Sequence, residues 1–262
     1  MAIISMDMNR STFIMFMTVM LLLPSCFVKE DRDECPCWMT VEMPVRVGHD
    51  GSVVLRLHGN YDDGAMDYAY KVSESIKADV GILEYEVPRG SIGVSVVNSA
   101  RLVVPVGEQM DSLYGFFKPY HTRCESVKCD VELHKEFCTV SFTLVDEHYE
   151  SPYDIEVRGN VSGVSPWDLV PVSGAFKYAP VAEEGVYRLR VPRQVDASLE
   201  MVMLSNQEIV NRLPLGEYII RSGYDWTATD LSDVSVALDL EKQQVMVTVS
   251  GWDEIVVMDV VI

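Results

Sequence analysis

The stretch "WMTVEMPVRV" (38–47) shows the pattern that runs through most of the chain. Its apolar residues occupy every second position: Val41, Met43, Val45 and Val47. Its polar residues fall between them: Thr40, Glu42 and Arg46. Successive side chains of a β-strand point to opposite faces of the sheet. The stretch therefore predicts a strand with one buried face and one solvated face.

The same period-two pattern predicts many further strands along the chain. They lie near 52–58, 80–87, 91–97, 101–106, 131–145, 153–161, 186–192, 199–204, 216–222, 233–240, 243–250 and 254–261. Turn sequences separate many of them, such as "HDG" (49–51), "PRG" (88–90) and "EEG" (183–185). One segment, 65–78, has a helical pattern. Many short antiparallel strands with glycine and proline between them predict an all-β fold of sandwiches.

A polar segment divides the strands into two blocks. The sequence "KPYHTRCESVKCD" (118–130) carries a proline and separates two strand-rich regions. We therefore expect an N-terminal β-sandwich domain at 35–130 and a C-terminal β-sandwich domain at 131–262. Hydrophobic residues make up 48% of the chain, which supports two packed cores rather than disorder.

The N-terminal residues resemble a secretion signal. No charged residue occurs from 11 to 25, and residues 13–23 are apolar apart from Thr18. Such a run is too short to cross about 30 Å of hydrocarbon as a helix. It suits the apolar region of a cleaved signal peptide, assigned here to residues 1–25. The alternative, a buried N-terminal helix, is disfavoured because the run is apolar on every face.

The sequence "LPSC" (23–26) resembles a bacterial lipobox. The resemblance implies cleavage between Ser25 and Cys26, a diacylglycerol group on the Cys26 sulfur, and acylation of the new amino terminus. Two or three acyl chains give stable membrane anchoring. Residues 26–34 would form an acidic tether, and "KED" (29–31) resembles signals for surface export in Bacteroidota; a plain hydrophilic linker is the alternative. We expect a lipid-anchored, surface-exposed protein of the outer membrane.

The charge of the chain limits its partners. The formal net charge is −19, and removal of residues 1–25 leaves it unchanged because that segment holds one Asp and one Arg. A strongly acidic surface is repelled by phosphate backbones. Nucleic acid is therefore not an expected partner.

Five cysteines follow Cys26, and export permits disulfide bonds between them. The candidates are Cys35, Cys37, Cys124, Cys129 and Cys138. Because five is odd, at least one thiol stays free or pairs between chains. The sequence leaves the connectivity open, and a zinc site using His134 is a disfavoured alternative. Cys138 is in phase with the apolar positions of its strand, which predicts burial.

Catalytic motifs are not found in the sequence. It contains no His-Glu-x-x-His, no Gly-x-Ser-x-Gly and no phosphate-binding glycine loop. We therefore expect a protein that is not an enzyme and uses no cofactor or metal.

Several segments, in order, resemble the FimB-like fimbrial anchor lipoproteins of type V pili in Bacteroidota. They are "SC" followed by "KEDRDECP", "YEVPRG" (85–90), "LHKEFCTVSF" (133–142), "VSGAFKYAP" (172–180), "VPRQVDASLEMVML" (191–204), "LPLGEYIIRSGYDW" (213–226) and "DLSDVSVALDLEKQQVMVTVSGW" (230–252). The resemblance implies two transthyretin-like β-sandwich domains that hold a fimbrial shaft to the outer membrane. It also implies strand exchange with a shaft subunit (pilin), in which a partner strand pairs with an open sheet edge.

The last residues suggest how such pairing could occur. One face of 255–262 is apolar throughout: Val256, Met258, Val260 and Ile262. The segment is interpreted either as an internal edge strand or as a partner strand through Ile255, Val257, Val260 and Ile262. The alternative function is a surface lipoprotein that binds glycan or host protein through an exposed aromatic platform including Trp167.

Overall fold

The computed structural model describes residues 36–43, 52–61, 70–77, 81–145, 153–239, 241–251 and 255–259. The described residues from Cys37 onward belong to one compact unit. Cys26, its cleavage site and Cys35 lie outside the described residues. Among the residues described, no helix has the length and apolarity needed to cross a bilayer.

Two sheets form the first sandwich. Its strands are β1 (Cys37–Glu42), β2 (Ser52–Tyr61), β3 (Tyr70–Lys77), β4 (Ile82–Val87), β5 (Gly90–Val97), β6 (Tyr114–His121), β7 (Ser126–Asp130) and β8 (His134–Lys135). The orders are β4-β1-β7 and β3-β2-β5-β6-β8. Alternate side chains of β1, β2 and β5 meet between the sheets and form a core that includes Met39, Leu55 and Val94.

A four-stranded sheet and a six-stranded sheet form the second sandwich. Its strands are β9 (Phe137–Val145), β10 (Asp154–Val164), β11 (Pro171–Tyr178), β12 (Ala182–Glu183), β13 (Val186–Pro192), β14 (Glu200–Ser205), β15 (Glu208–Leu213), β16 (Val234–Asp239), β17 (Gln244–Val249) and β18 (Ile255–Asp259). The orders are β11-β10-β14-β15 and β12-β13-β9-β16-β17-β18. The predicted all-β sandwich fold is confirmed, whereas the predicted boundary at 130/131 stays a prediction.

Two strand pairs depart from the expected antiparallel arrangement. β1 runs parallel to β7, and β9 runs parallel to β16. In each case the chain visits the opposite sheet before the two strands meet, and a parallel pair requires such a crossover. The predicted "EEG" turn is confirmed, since Glu184 and Gly185 both have positive φ (52° and 79°) between β12 and β13. Asn206 and Gln207 (51° and 68°) form the same kind of two-residue turn between β14 and β15.

The strand predicted at 216–222 is instead the helix α1 (Leu215–Arg221). Leu215, Tyr218 and Ile219 are buried, and their spacing of three and four residues matches a helical face. Pro214 precedes the helix, where its missing N–H costs nothing. The β-favouring side chains of this segment led to the wrong prediction, because packing outweighs intrinsic propensity.

The helix predicted at 65–78 is also wrong over its described part. Tyr70–Lys77 is β3, which pairs antiparallel with β2. Its inward residues recur with period two, and Ile76 reaches the first core. Polar residues on the outer face obscured this alternation in the sequence. The strands β6, β7, β11, β12 and β15 were not predicted.

The strand predicted at 101–106 is replaced by a segment that we call the crossing arm (98–113), between β5 and β6. Four of its side chains are buried in the core of the second sandwich: Leu102, Val104, Met110 and Leu113. The Val103 position makes a single bridge to Gly163. An added Cβ at Gly163 would lie 2.0 Å from the Leu102 carbonyl oxygen, so only glycine allows this close approach.

Hydrogen bonds fix the crossing arm to the second sandwich. The Val104 N–H donates to the Ser162 carbonyl (2.8 Å), and the Met110 N–H donates to the Arg190 carbonyl (3.0 Å). Arg101 pairs within the arm with Glu108 and Asp111. The arm therefore belongs to one sandwich by its place in the chain and to the other by its packing.

We expect Leu113→Ala to lower the free energy of unfolding by about 2–5 kcal/mol, because it leaves a cavity where the arm enters the second core. Urea denaturation of the purified chain measures this change. Val106→Ala on the same arm is the control. Val106 is 60% exposed, so its truncation should change stability by less than about 0.5 kcal/mol. Equal losses in both variants would contradict the burial of the arm.

Candidate partner-binding edge of the second sandwich

β18 is the edge strand of the six-stranded sheet. It pairs antiparallel with β17, with Val245 opposite Met258 and Val247 opposite Val256. In the described part of the chain, no strand pairs with its other side. Backbone N–H and C=O groups on that free side can therefore pair with a strand from another chain.

The two faces of β18 differ in burial. Met258 is buried in the second core, and Val256 packs against that core. Ile255 and Val257 point the other way and are 60% and 54% exposed. Met246 on β17 lies directly opposite Val257 on the same outer face. We call Ile255, Val257 and Met246 the β18 patch.

Polar residues bound the β18 patch on the outer face of its sheet. Thr248 lies opposite Ile255, and Ser235 of β16 continues the row. Beyond it, Ser141 of β9 forms a hydroxyl–hydroxyl hydrogen bond with Ser235 (2.9 Å). Along this row the apolar surface therefore lies at the open edge.

Charged side chains mark the other edge strands of the described chain. They are Lys71 and Glu74 on β3, Glu84 and Glu86 on β4, Lys128 and Asp130 on β7, Lys135 on β8, Lys177 on β11, Glu183 on β12, and Glu208 and Arg212 on β15. Edge charges oppose pairing with a foreign strand. β18 carries one as well, Asp259 at its end, and its first four residues are apolar.

The edge strand β11 has further protection. It begins with Pro171, which lacks an N–H donor. Its Lys177 carbonyl accepts a hydrogen bond from Gly107 of the crossing arm (2.7 Å). β18 therefore combines backbone groups that no described strand uses with an exposed face that is apolar at Ile255 and Val257.

A cleft of about 260 Å³ is a second candidate site. It is lined by residues of both sandwiches: Gly115, Phe116, Phe117, His134, Glu136, Asp168, Leu169, Arg193 and 227–229. Its buried ion pair joins Arg193 Nε to Glu136 Oε2 at 2.8 Å. Burial raises the pKa of Glu136, and the guanidinium of Arg193 offsets part of that rise.

Arg193 and His134 of the cleft already have hydrogen-bond partners. Arg193 Nη1 donates to the carbonyls of Trp226 (2.6 Å) and Ala228 (2.8 Å). His134 Nδ1 lies 3.1 Å from Asp230 Oδ2. With its donors used in this way, Arg193 fastens the loop before β16 to the start of β9, and we assign the cleft a structural role.

The candidate disulfide cysteines lie in different environments. Cys37 and Cys129 are buried in the first core, and Cys138 is buried in the second core as predicted. Cys124 is exposed, and the four described cysteines are unbonded. The zinc alternative requires Cys129 and Cys138 at one site, but they lie in separate cores. No metal-binding group of three or more His, Cys, Asp or Glu occurs among the described residues.

The other residues predicted to contact a partner lie in different environments. Ile255 and Val257 lie on the exposed face of β18, whereas Val260 and Ile262 lie outside the described residues. Trp167 packs edge-on against His58, with ring centroids 5.4 Å apart, and Lys71 Nζ lies 5.5 Å from its ring. Trp167 is therefore engaged with the first sandwich. Met246 was missed, because its place in the β18 patch depends on strand register.

The fold is shared with several proteins of known structure. A candidate adhesin from Bacteroides ovatus matches with a TM-score of 0.56 at 13% identity, covering 86% of this chain and 96% of that one. A candidate polysaccharide-binding protein from Bacteroides thetaiotaomicron matches at 0.56 and 12%, covering 87% and 98%. The fimbrial anchor protein Mfa2 from Porphyromonas gingivalis matches at 0.54 and 9%, covering 83% and 98%.

The chain has the fold of these proteins. The fold that the fimbrial resemblance implied is thereby confirmed over most of the chain. No protein-family model matches the sequence, and no curated protein is similar to it. At 9–13% identity, these similarities show the fold alone.

We expect Arg193→Met to lower the free energy of unfolding by roughly 3–5 kcal/mol, because it leaves the Glu136 carboxylate buried without its partner. Arg212→Met is the matched control. Arg212 pairs with Glu200 at the surface, where both side chains are about half exposed, so the loss should be below about 1 kcal/mol. Denaturant unfolding compares the two variants. A loss for Arg193→Met no larger than the control would refute the structural role of the cleft.

Proposed function

We propose that this protein is an outer-membrane-anchored fimbrial anchor subunit, tethered through acyl chains on Cys26, that holds a fimbrial shaft at the cell surface. The observation that carries the proposal is the two-sandwich fold, shared with the fimbrial anchor Mfa2 over 98% of that chain. The lipobox-like sequence at 23–26 supports the tether. In this proposal the protein has a structural role and no catalytic one.

The order of elements along the chain suits this role. The acidic tether leads into β1, which lies between β4 and β7. A pull on the N-terminus therefore acts against hydrogen bonds on both sides of β1. β18, near the C-terminus, offers the open edge. A strand of the shaft subunit would extend the six-stranded sheet there and cover the β18 patch.

The tether is tested by Cys26→Ala in cells that make fimbriae. We expect loss of metabolic lipid labelling of the protein and release of fimbriae into the medium, because the acyl chains are the membrane contact. Fractionation and electron microscopy measure both. Cys35→Ala, nine residues further on, should keep the label and the cell-bound fimbriae. Fimbriae that stay on Cys26→Ala cells after the label is lost would refute the anchoring role.

Pairing at β18 is tested by the double variant Ile255→Lys/Val257→Lys. Two ammonium groups on the exposed face should oppose an added strand, and we expect at least a tenfold loss of co-purifying shaft subunit. Because both positions are exposed, the melting temperature of the purified chain should fall by no more than a few degrees.

The matched control is Ile209→Lys/Val210→Lys on β15, another edge strand with neighbouring residues 42% and 51% exposed. This variant should retain the shaft subunit. Equal retention by both double variants would exclude β18 as the pairing edge while leaving the lipid anchor untouched. Loss with both would indicate a general effect of charge.

A further inference from the structure

Two of the unbonded cysteines lie side by side at the N-terminal end of β1. Cys37 begins β1, which runs parallel to β7 with Trp38 opposite Ser126. The Trp38 N–H donates to the Glu125 carbonyl at 2.9 Å, one residue beyond each cysteine. The Cys124 thiol is near enough to Cys37 to raise the pKa of the Cys37 thiol, and it donates to the Ser126 carbonyl at 3.1 Å.

We propose that Cys37 and Cys124 form a disulfide bond in the exported protein, which fastens the first strand of the fold to the segment before β7. The inference does not depend on the fimbrial role. An exported chain meets oxidising conditions. The backbones that carry the two cysteines are hydrogen-bonded neighbours one residue further on, so side-chain rotation can bring the two sulfurs to bonding geometry.

The other described cysteines are excluded as partners of Cys37 by position. Cys129 lies opposite Val41, four residues along β1 from Cys37. At about 3.3 Å per residue this places its Cα roughly 13 Å away, beyond the reach of about 7 Å that a disulfide allows. Cys138 is buried in the core of the second sandwich.

The two thiols differ in exposure, and this difference determines which one reacts first. Cys124 is exposed, whereas Cys37 is fully buried. Burial, followed by the neighbouring Cys124, raises the pKa of the Cys37 thiol to about 11, and the nearby Arg89 acts against this rise. Cys124 is therefore the thiol that an external oxidant reaches first, since access to a thiol controls its reactivity.

The oxidant required is the disulfide of an exported thiol–disulfide oxidoreductase. The Cys124 thiolate attacks one sulfur of that disulfide, forms a mixed disulfide and releases the other sulfur as a thiolate. The Cys37 thiolate then attacks the Cys124 sulfur and displaces the oxidoreductase. Two protons and two electrons leave the cysteine pair, and the oxidoreductase ends as a dithiol.

Peptide mapping of the native protein tests the bond directly. Protein purified from the cell envelope is alkylated under acidic quenching and digested with trypsin without reductant. Cleavage at Arg and Lys places Cys124 on the peptide 124–128 and Cys37 on 33–46. We expect these two peptides to be joined, and to separate when reductant is added. Free, alkylated Cys124 in the native protein would overturn the proposal.

A variant resolves the remaining ambiguity, because 33–46 also carries Cys35. Cys35→Ala should keep the cross-linked pair, and loss of the pair in this variant would assign the bond to Cys35 and overturn the proposal. Reduction should lower the melting temperature of Cys35→Ala by about 5–10 °C, because the bond closes most of the first sandwich into one loop. Cys124→Ser should show no such reductant-dependent shift.

Discussion

The structure of this protein depends on the crossing arm, which takes side chains from the connection between β5 and β6 into the core of the second sandwich. Leu102, Val104, Met110 and Leu113 are fully or almost fully buried there. The second core is complete only when the first sandwich has brought the arm into place. The two sandwiches are therefore expected to unfold together rather than as independent domains, and strain at one can reach the other through packed side chains.

The same constraint decides which edges of the sheets stay open. The arm bonds to β11 through Lys177 and passes over Gly163 of β10, so one side of the second sandwich is covered. Elsewhere the charges of this acidic chain lie along the edge strands. A net charge of −19 keeps most of the surface solvated. Ile255 and Val257 place exposed apolar side chains on an edge whose free side no described strand covers.

The sequence predicted the fold class and most strands of the second sandwich, because half-buried strands show their alternation locally. It failed where the relevant neighbour is distant. The helix at Leu215–Arg221 exists because three side chains pack into the second core, and residues 101–106 were extended without forming a ladder. The candidate edge was partly predictable: the sequence placed Ile255 and Val257 on one face. That Met246 joins them, and that β18 has a free side, follows only from strand order and register.

Strand order also explains why a partner at β18 would be stabilising. β1 is held by ladders on both sides, whereas β18 is held by one ladder and the burial of Met258 and Val256. A foreign strand on the free side would add a second ladder and cover Ile255 and Val257. Any partner that binds the folded state alone shifts the unfolding equilibrium toward that state. Occupation of the edge would therefore stabilise β18, and in the proposed anchor β18 is the strand that would bear the pull of the shaft.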